Sequence, residues 1–302
     1  MILKKGSYSE ISLLSGIAIV MSIVTGIFGT PFLRVIRNTY GSLAFWGLVL
    51  LFLGGSVALK ASWLSVVVGS VWLTTGISLE LEKRKVSFLT NSVLSLTVGF
   101  LICALGMYGA LQELGILSLD RATEYFKEVV KPMMAQSSKG QMNNEMDYQA
   151  IVLQVPSMVF VFLLVSLAFG YLMERRVRHW LRLRKHGHVY KFNFLKFRAK
   201  DGVIWVALFS LLFSTLGTMG KDFYWLGIIG SNLVNVFFIV FLFQGIAILE
   251  NILMRMKAGV FFRSLSYFIF IGQLFLVLSI VGFLDYWFDI RQRIKIMNRQ
   301  AT

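Results

Sequence analysis

Four polar residues in or directly after the long apolar run 224–249 have side chains that could bind a small solute or an ion. Ser231 and Asn232 precede Asn235 by four and three residues, so the three share one helical face, and Glu250 returns close to that face. Polar groups are costly in lipid, and they therefore face the interior of a helical bundle or a cavity. The pattern predicts either a substrate or ion site, or hydrogen bonds between helices that fix their packing.

The last apolar run ends in GFLDYWFDIRQRIK, in which Asp285, Asp289 and Arg293 are spaced four residues apart. On a helix they form one stripe, with the acid placed before the base as a favourable pair requires. This spacing predicts that Asp289 pairs with Arg293 at the lipid headgroups and ends the helix. Asp285 lies one turn deeper, where an unpaired carboxylate is expensive. We therefore expect a cation from another segment to pair with it: Arg255, Lys257 or a basic residue of 175–200.

Small residues repeat at intervals of four in the first apolar run, as Ala18, Ser22 and Gly26. Such a stripe lets another helix approach to backbone distance. The approaching helix belongs either to the same chain or to a partner subunit, and the stripe alone does not decide between them.

Residues 174–200, the basic loop, contain ten basic residues and one acid, and the positive-inside bias makes this loop cytoplasmic. All three histidines also lie here, but the surrounding cations disfavour a divalent ion, so we expect no metal site. Aromatic residues interleave with the cations, which favours a membrane surface over nucleic acid. The cations expected to face anionic lipid headgroups are Arg175, Arg176, Arg178, Arg182, Arg184 and Lys185.

Catalytic signatures are missing from the sequence. No histidine lies in an apolar run, and none of the patterns Gly-x-Ser-x-Gly, His-Glu-x-x-His or Gly-x-x-x-x-Gly-Lys occurs. We therefore expect no enzymatic activity, no catalytic residue and no cofactor. An ATPase that worked with this chain would be a separate polypeptide.

The composition places these residues in a lipid bilayer. Hydrophobic residues make up 57% of the 302 residues and charged residues only 15%, and the mean hydropathy is +0.72. This is too much apolar surface for a soluble core. The sequence therefore predicts an all-α, polytopic membrane protein with one transmembrane domain, 1–302. About eight runs have the length of a spanning helix: 11–28, 42–59, 63–79, 88–111, 151–173, 203–219, 224–249 and 265–288.

The charges of the loops predict the topology of the middle of the chain. The loop 112–148 is acidic and should be extracytoplasmic, with a short amphipathic helix in it, whereas 83–85 and the basic loop should be cytoplasmic. If the eight predicted helices are counted from these cytoplasmic loops toward each end of the chain, the basic residues at both ends fall on the extracytoplasmic side. This placement contradicts the positive-inside bias. Either the bias is weak at the chain ends, or a segment such as 29–39, or part of the seventh run, is re-entrant and changes the number of crossings.

Several motifs resemble those of the YybS-like family of bacterial predicted membrane proteins, a family of unknown function. Pro156, Tyr171 and the pair Arg175-Arg176 resemble its Pro-then-Tyr-then-basic pattern, and 243–248 resembles its Gln-Gly-Leu-Ala segment. The terminal GFLDYWFDIRQRIK resembles its last motif. Some classifications liken this family to the substrate-binding S components of energy-coupling-factor vitamin transporters. That likeness implies small-solute binding and a small-residue stripe that meets a transmembrane partner carrying the ATPase.

Two functions follow as expectations. The first is a protein of the bacterial inner membrane that binds or transports a small solute, like an S component. The second is a scaffold that transports nothing, whose basic loop binds anionic lipid or a cytoplasmic partner.

Overall fold

The computed structural model describes residues 7–116, 118–137, 147–181, 195, 197–291 and 293, and it divides the chain into unit 1 (1–192) and unit 2 (193–302). The prediction of a single transmembrane domain, 1–302, stays a prediction. The helices of the described part are α1 (Ser7–Thr25), α2 (Thr30–Tyr40), α3 (Ser42–Ala58), α4 (Ser62–Lys83), α5 (Phe88–Glu113), α6 (Leu119–Ser137), α7 (Tyr148–Leu153), α8 (Val155–Trp180), α9 (Asp201–Leu216), α10 (Tyr224–Arg255), α11 (Val260–Gly272) and α12 (Phe275–Phe288). All the regular structure described is helical, which confirms the predicted fold class.

The structure does not confirm the eight membrane-spanning helices predicted. Four helices, α4, α5, α8 and α10, are long and apolar enough to cross a membrane, and the pair α11 and α12 brings the total to five if it counts as one span. The remaining apolar helices α1, α3 and α9 are shorter. At 1.5 Å per residue, the 17 residues of α3 extend about 25 Å, less than the roughly 30 Å of a hydrocarbon core.

The first two helices form a hairpin that returns to its starting side. Gly26 has φ +70°, a conformation that glycine adopts without strain, and it ends α1. Pro31, at the start of α2, has the fixed φ that favours a helix start. The hydroxyl of Tyr40, at the end of α2, donates a hydrogen bond of 3.0 Å to Glu10 near the start of α1. The segment 29–39 is therefore part of a re-entrant hairpin, one of the alternatives that the loop charges left open.

The core of unit 1 surrounds α2. Leu33, Val35 and Ile36 of α2 are fully buried, although they point in different directions around the helix. Phe45 of α3 and Trp72 of α4 are also fully buried in this core. A helix that is buried on all its faces belongs to the interior of a bundle, so α2 is the central element of unit 1.

The small-residue stripe of α1 packs against the chain's own helices. Ala18, Ser22 and Gly26 are all buried. The indole Nε1 of Trp72, on α4, donates a hydrogen bond of 2.9 Å to the Ser22 hydroxyl, and Phe162 of α8 lies against Gly26 so closely that no side chain would fit there. Contact within the chain, one of the two alternatives for the stripe, is thus what the structure contains.

We expect Ser22→Ala to lower the free energy of unfolding by about 1–3 kcal/mol, because the buried indole of Trp72 loses its hydrogen-bond acceptor. Thermal unfolding of the purified protein in detergent measures this change. Ser12→Ala, on the exposed side of α1, is the matched control and should leave the melting temperature unchanged. Equal melting of both variants and the wild type would show that the Ser22 contact contributes nothing.

Several helix ends meet at one end of unit 1, which we call its polar end. Ser42 at the start of α3 donates a hydrogen bond of 2.7 Å to Glu80 near the end of α4, and Asn91 near the start of α5 donates one of 3.1 Å to the carbonyl of Ser78. The start of α1 lies at this end as well, through Tyr40. If 83–85 are cytoplasmic, as the positive-inside bias predicts, the start of α1 is cytoplasmic too. The hairpin thus removes the conflict at the first end of the chain.

In unit 2, several glycines lie directly against the backbone of a neighbouring helix. Gly217 at the end of α9 and Gly227 of α10 lie against each other's backbone. Gly245 of α10 meets the carbonyl of Leu278 on α12, and Gly282 of α12 meets the backbone of α10. Such contacts bring the backbones of α10 and α12 close together.

The last apolar run is broken. Helices α11 and α12 are bent by 92° at a break around Gln273, so the predicted span 265–288 is a broken span or a re-entrant segment. Asn251 near the end of α10 and Arg291 after α12 both donate hydrogen bonds of 3.2 Å to the carbonyl of Leu195. The ends of α10 and α12 therefore lie at the same end of unit 2, which we call its basic end. This arrangement removes the second topology conflict.

Candidate functional site

Arg34 of α2 is the centre of a network of buried charges in unit 1. Its side chain is 1% exposed. Its Nε donates a hydrogen bond of 2.9 Å to Glu174 on α8, and its Nη2 donates to both carboxylate oxygens of Glu82 on α4, at 2.8 and 3.0 Å. Its guanidinium also lies 3.9 Å from the ring centroid of Tyr171 on α8, a cation–π contact. One side chain thus ties α2 to both α4 and α8.

A second arginine and an amide complete the surroundings of Glu174. Arg178, one turn further along α8, donates a hydrogen bond of 2.7 Å to Glu174, and Asn38 of α2 donates another of 2.7 Å. Nearer the end of α2, Arg37 pairs with Glu80 at 2.9 Å. Buried charges are tolerated where they are paired and hydrogen-bonded, and this network balances three arginines against three glutamates: Arg34, Arg37, Arg178, Glu80, Glu82 and Glu174.

Neutral polar groups extend the network toward α5. The hydroxyl oxygens of Tyr171 and Ser78 are 2.9 Å apart, and Asn91 donates a hydrogen bond of 3.2 Å to Tyr171. Asn91 is a buried amide of α5, within the apolar run 88–111. The cluster therefore joins four helices, α2, α4, α5 and α8, at the polar end of unit 1.

Three nitrogen atoms in the network have no hydrogen-bond partner within the described part of the chain. They are Nη1 of Arg34 and both Nε and Nη1 of Arg178. Each is buried, and an unsatisfied buried donor on a charged group is expensive. The two arginines converge on Glu174, so these donors flank one carboxylate. Donors of this kind are suited to bind the oxygen atoms of a carboxylate or a phosphate.

This network was not predicted from the sequence, although a signal was present. Arg34, Arg37 and Asn38 recur at helical spacing in a segment of 11 residues, which is too short to read as a spanning helix. The glutamates lie beside basic clusters, where they are easily read as solvated charges. The useful signal was the helical spacing of arginines in an otherwise apolar segment between two apolar runs.

The polar residues of the seventh run lie on α10, and the structure does not bring all four together. Ser231 and Asn232 both donate hydrogen bonds to the carbonyl of Ile228 on their own helix, and Asn232 and Asn235 have further interactions. Asn235 and Glu250 are separated by about 22 Å along the helix, at 1.5 Å per residue. A shared helical face therefore does not place them at a shared depth.

Glu250 is occupied by side chains of α11. It accepts a short hydrogen bond from the hydroxyl of Tyr267, and Arg263 lies 3.5 Å away as an ion pair. Glu250 therefore joins α10 to α11. Its polar partners come from α11, and this end of α10 is far from Asn235.

The pairing of Asp289 differs from the prediction. Helix α12 ends at Phe288 because Asp289 adopts the left-handed conformation, with φ +43°. The chain therefore turns before Arg293, and the stripe of four-residue spacings is not continuous. Asp289 pairs instead with Arg198, at 2.8 Å. Arg198 belongs to the basic loop. A cation of that loop therefore does pair with an acid at the end of α12, but the acid is Asp289 and not Asp285.

Asp285 is buried and paired with a cation, as expected, but the cation is a different one. Arg291, just beyond α12, lies 3.1 Å from its carboxylate, and Gln244 of α10 donates a hydrogen bond of 3.3 Å. Neither Arg255 nor Lys257 is its partner. The backbone turn at the end of α12 brings Arg291 back over the helix end. Burial lowers the pKa of Arg291 and the Asp285 carboxylate opposes that shift.

We expect Asp285→Asn to lower the free energy of unfolding by about 2 kcal/mol, because a buried charge-assisted interaction is lost. The matched control is Asp289→Asn. Asp289 is 45% exposed, and its ion pair should contribute less than about 1 kcal/mol. Thermal unfolding in detergent compares the two. A loss at Asp289 as large as the loss at Asp285 would contradict the assignment of Asp285 as the buried partner of Arg291.

The basic loop is described only in part. Arg175 and Arg176 at the end of α8 are exposed, as a lipid-facing role requires, whereas Arg178 is buried in the network and does not face lipid. This corrects the expectation for Arg178. No group of histidine, cysteine or acidic residues that could hold a metal occurs among the described residues. Five cations and two histidines of the loop fall outside them: Arg182, Arg184, Lys185, Lys191, Lys196, His186 and His188.

The fold and the buried network define a polytopic helical membrane protein. The chain belongs to the family described as "Predicted membrane protein (DUF2232)", whose profile matches residues 8–286. This is consistent with the YybS-like motifs of the sequence. A search of curated proteins and a search of solved structures found no match. The relation to S components therefore stays a prediction.

Proposed function

We propose that the chain is a carrier of a small solute in the bacterial inner membrane, with the α1–α2 hairpin as its moving element. The observation that carries this proposal is Arg34, a fully buried charge on a short, central, re-entrant helix. Charged residues inside a membrane are costly and mark ion and substrate paths by default. Discontinuous helices that end within the bundle form the binding sites of many transporters.

The ion pairs of Arg34 act as a latch in this proposal. They hold α2 against α4 and α8 in the conformation that the structure contains. Releasing α2 requires that Glu82 and Glu174 find other partners, and Arg178, on α8 itself, already donates a hydrogen bond to Glu174. A conformational change in which charged groups exchange partners costs less free energy than one that leaves them unpaired. This supports a carrier in which α2 has two alternative arrangements.

The unpartnered donors of Arg34 and Arg178 favour a solute that carries a carboxylate or a phosphate. Such a group would supply the acceptors that the described residues do not, in a setting where charge-assisted hydrogen bonds are strong. The chain itself is not catalytic in this proposal. If transport needs ATP, the ATPase is a separate polypeptide, and it docks on a face other than the Ala18–Ser22–Gly26 stripe, which the chain's own helices cover.

One observation favours the scaffold as a second candidate. Arg175 and Arg176 are exposed at the end of α8, beside the polar end of unit 1. Two exposed cations at a membrane surface attract anionic lipid or an acidic partner. In this alternative the Arg34 network has a structural role only.

The test is to identify what copurifies with the wild type and with two arginine variants. Arg178→Gln removes two of the three unpartnered donors and leaves both ion pairs of Arg34 in place, whereas Arg176→Gln removes an exposed neighbour. We expect mass spectrometry to find a carboxylate- or phosphate-bearing molecule with the wild type and Arg176→Gln, and not with Arg178→Gln. A stoichiometric protein partner without any small molecule would favour the scaffold.

A further inference from the structure

An apolar groove opens between α9, α10 and α12 of unit 2, and neither the carrier nor the scaffold function uses it. Its volume is about 160 Å³, and its walls include Leu211, Val234, Ile280 and Phe283. Ser279 is the one polar residue of the lining, and its hydroxyl donates a hydrogen bond to the carbonyl of Phe275. The groove therefore offers its occupant a hydrocarbon surface with no free hydrogen-bonding group in that lining.

The shape and depth of the groove suit one acyl chain. It follows α10 from residue 241 to residue 234, about 10 Å along the helix axis. Trp205, two residues before the groove residue Ala207, and Trp287, whose ring lies 4.7 Å from that of the groove residue Phe283, are both exposed. Exposed tryptophans on membrane helices mark the level of the headgroups. The groove therefore begins at the membrane interface and runs toward the bilayer centre, as an acyl chain does.

The interfacial end of the groove carries cations. Arg198 lies over the ring of Tyr286, one helical turn beyond the groove residue Phe283, and pairs with Asp289. Lys200 and Arg293 are exposed at the same end and form no ion pair within the described residues. Asp201 at the start of α9 is exposed at this end too, and it likewise has no ion pair within the described residues. The balance of unpaired charge at the rim is therefore positive.

We propose that this groove is a binding site for one anionic phospholipid of the bilayer. One acyl chain lies between α9, α10 and α12, and the phosphate lies at the rim formed by Arg198, Lys200 and Arg293. A neutral phospholipid fills the same groove, but its headgroup is attracted less strongly by the cations of the rim. The lipid would join the three helices of unit 2 on the side where α9 and α12 leave α10 uncovered. This proposal does not depend on solute transport.

The test uses delipidated protein in detergent and native mass spectrometry with two lipids of identical acyl chains, phosphatidylglycerol and phosphatidylcholine. We expect one phosphatidylglycerol per chain to bind more tightly than phosphatidylcholine. The double variant Lys200→Gln/Arg293→Gln should weaken phosphatidylglycerol roughly thirtyfold, since each interfacial cation contributes a factor of roughly five to six. Lys83→Gln/Arg84→Gln, two exposed cations of unit 1, should leave it unchanged.

The groove itself is tested by two adjacent leucines with the same exposure. Leu211 and Leu212 are each 50% exposed on α9, but only Leu211 lines the groove. Leu211→Trp should block the tight binding of both lipids, and Leu212→Trp should not. Equal binding by the two variants, or equal affinity of the wild type for the two lipids, would overturn the proposal and reduce the groove to ordinary lipid contact.

Discussion

Replacing Arg34 with leucine will lower the free energy of unfolding by about 5 kcal/mol, a larger loss than we expect from any other single substitution in the chain's buried polar clusters. The change leaves the buried carboxylate of Glu82 with no cation and removes one of the two arginines from Glu174. An uncompensated charge in the interior of a membrane bundle is the costly outcome. Unfolding in detergent, followed by circular dichroism, measures the loss, and Arg84→Leu is the exposed control.

A double variant separates the cost of the bare charge from the value of the ion pair. Arg34→Leu combined with Glu82→Leu removes both partners, and buried pairs replaced by apolar residues often lose little stability. Glu174 keeps Arg178 as a partner. We expect the double variant to recover at least half of the stability that Arg34→Leu loses. A double variant as unstable as the single one would show that α2 is held by something other than charge balance.

Gly282→Leu will separate α12 from α10. A side chain at this position meets the carbonyl of Phe241 and the backbone nitrogen of Gly245, and no rotamer change can move a helix backbone aside. Overpacking normally costs about 1–3 kcal/mol, and we expect more than about 3 kcal/mol because both obstacles are backbone atoms. The measured quantity is the yield and melting temperature of monodisperse protein in detergent.

Gly272→Leu is the matched control for this prediction. Gly272, at the end of α11, has no atom within 4 Å of the position where a Cβ would lie. Its replacement should therefore leave folding unchanged. If Gly282→Leu yields as much folded protein as Gly272→Leu, the close approach of α10 and α12 is not a feature of the native fold.

The helical class and the positions of the apolar helices follow from the sequence, because a run of about 20 apolar residues has few alternatives to a helix in lipid. The break at Gln273 does not follow. The run 265–288 has the length and composition of a single span, and only its packing against α10 shows that it bends. Likewise, Asp285 and Arg293 fit one helical stripe by spacing, but the left-handed turn at Asp289 depends on contacts outside the helix.

The buried network was harder to predict than the helices, because its bonds join residues far apart in the chain. Arg34 is separated by 48 residues from Glu82 and by 140 from Glu174. Local spacing carries no information on such pairs. The conflict in the positive-inside count offered a re-entrant segment 29–39 as one of three explanations, beside a re-entrant part of the seventh run and a weak bias at the chain ends. Arg34, within 29–39, joins that segment to α4 and α8, so the segment is part of the buried core and not only a connection.

The carrier hypothesis requires α2 to separate from α8, and a disulfide between them tests this requirement. A Cβ added at Gly170 would lie 3.4 Å from the Cβ of Thr30, close to the separation in a disulfide. Thr30→Cys/Gly170→Cys, with Cys103→Ala to remove the free thiol, therefore allows the two helices to be locked by oxidation and released by reduction.

The decisive measurement is solute uptake by membrane vesicles from cells that produce this variant. The vesicles are incubated with a ¹³C-labelled metabolite extract, and the retained labelled compounds are identified by mass spectrometry. We predict that at least one acidic compound is retained by the reduced vesicles, above the level of vesicles without the protein, and is lost on oxidation. Equal retention by oxidised and reduced vesicles, or none above the protein-free background, would contradict the carrier function.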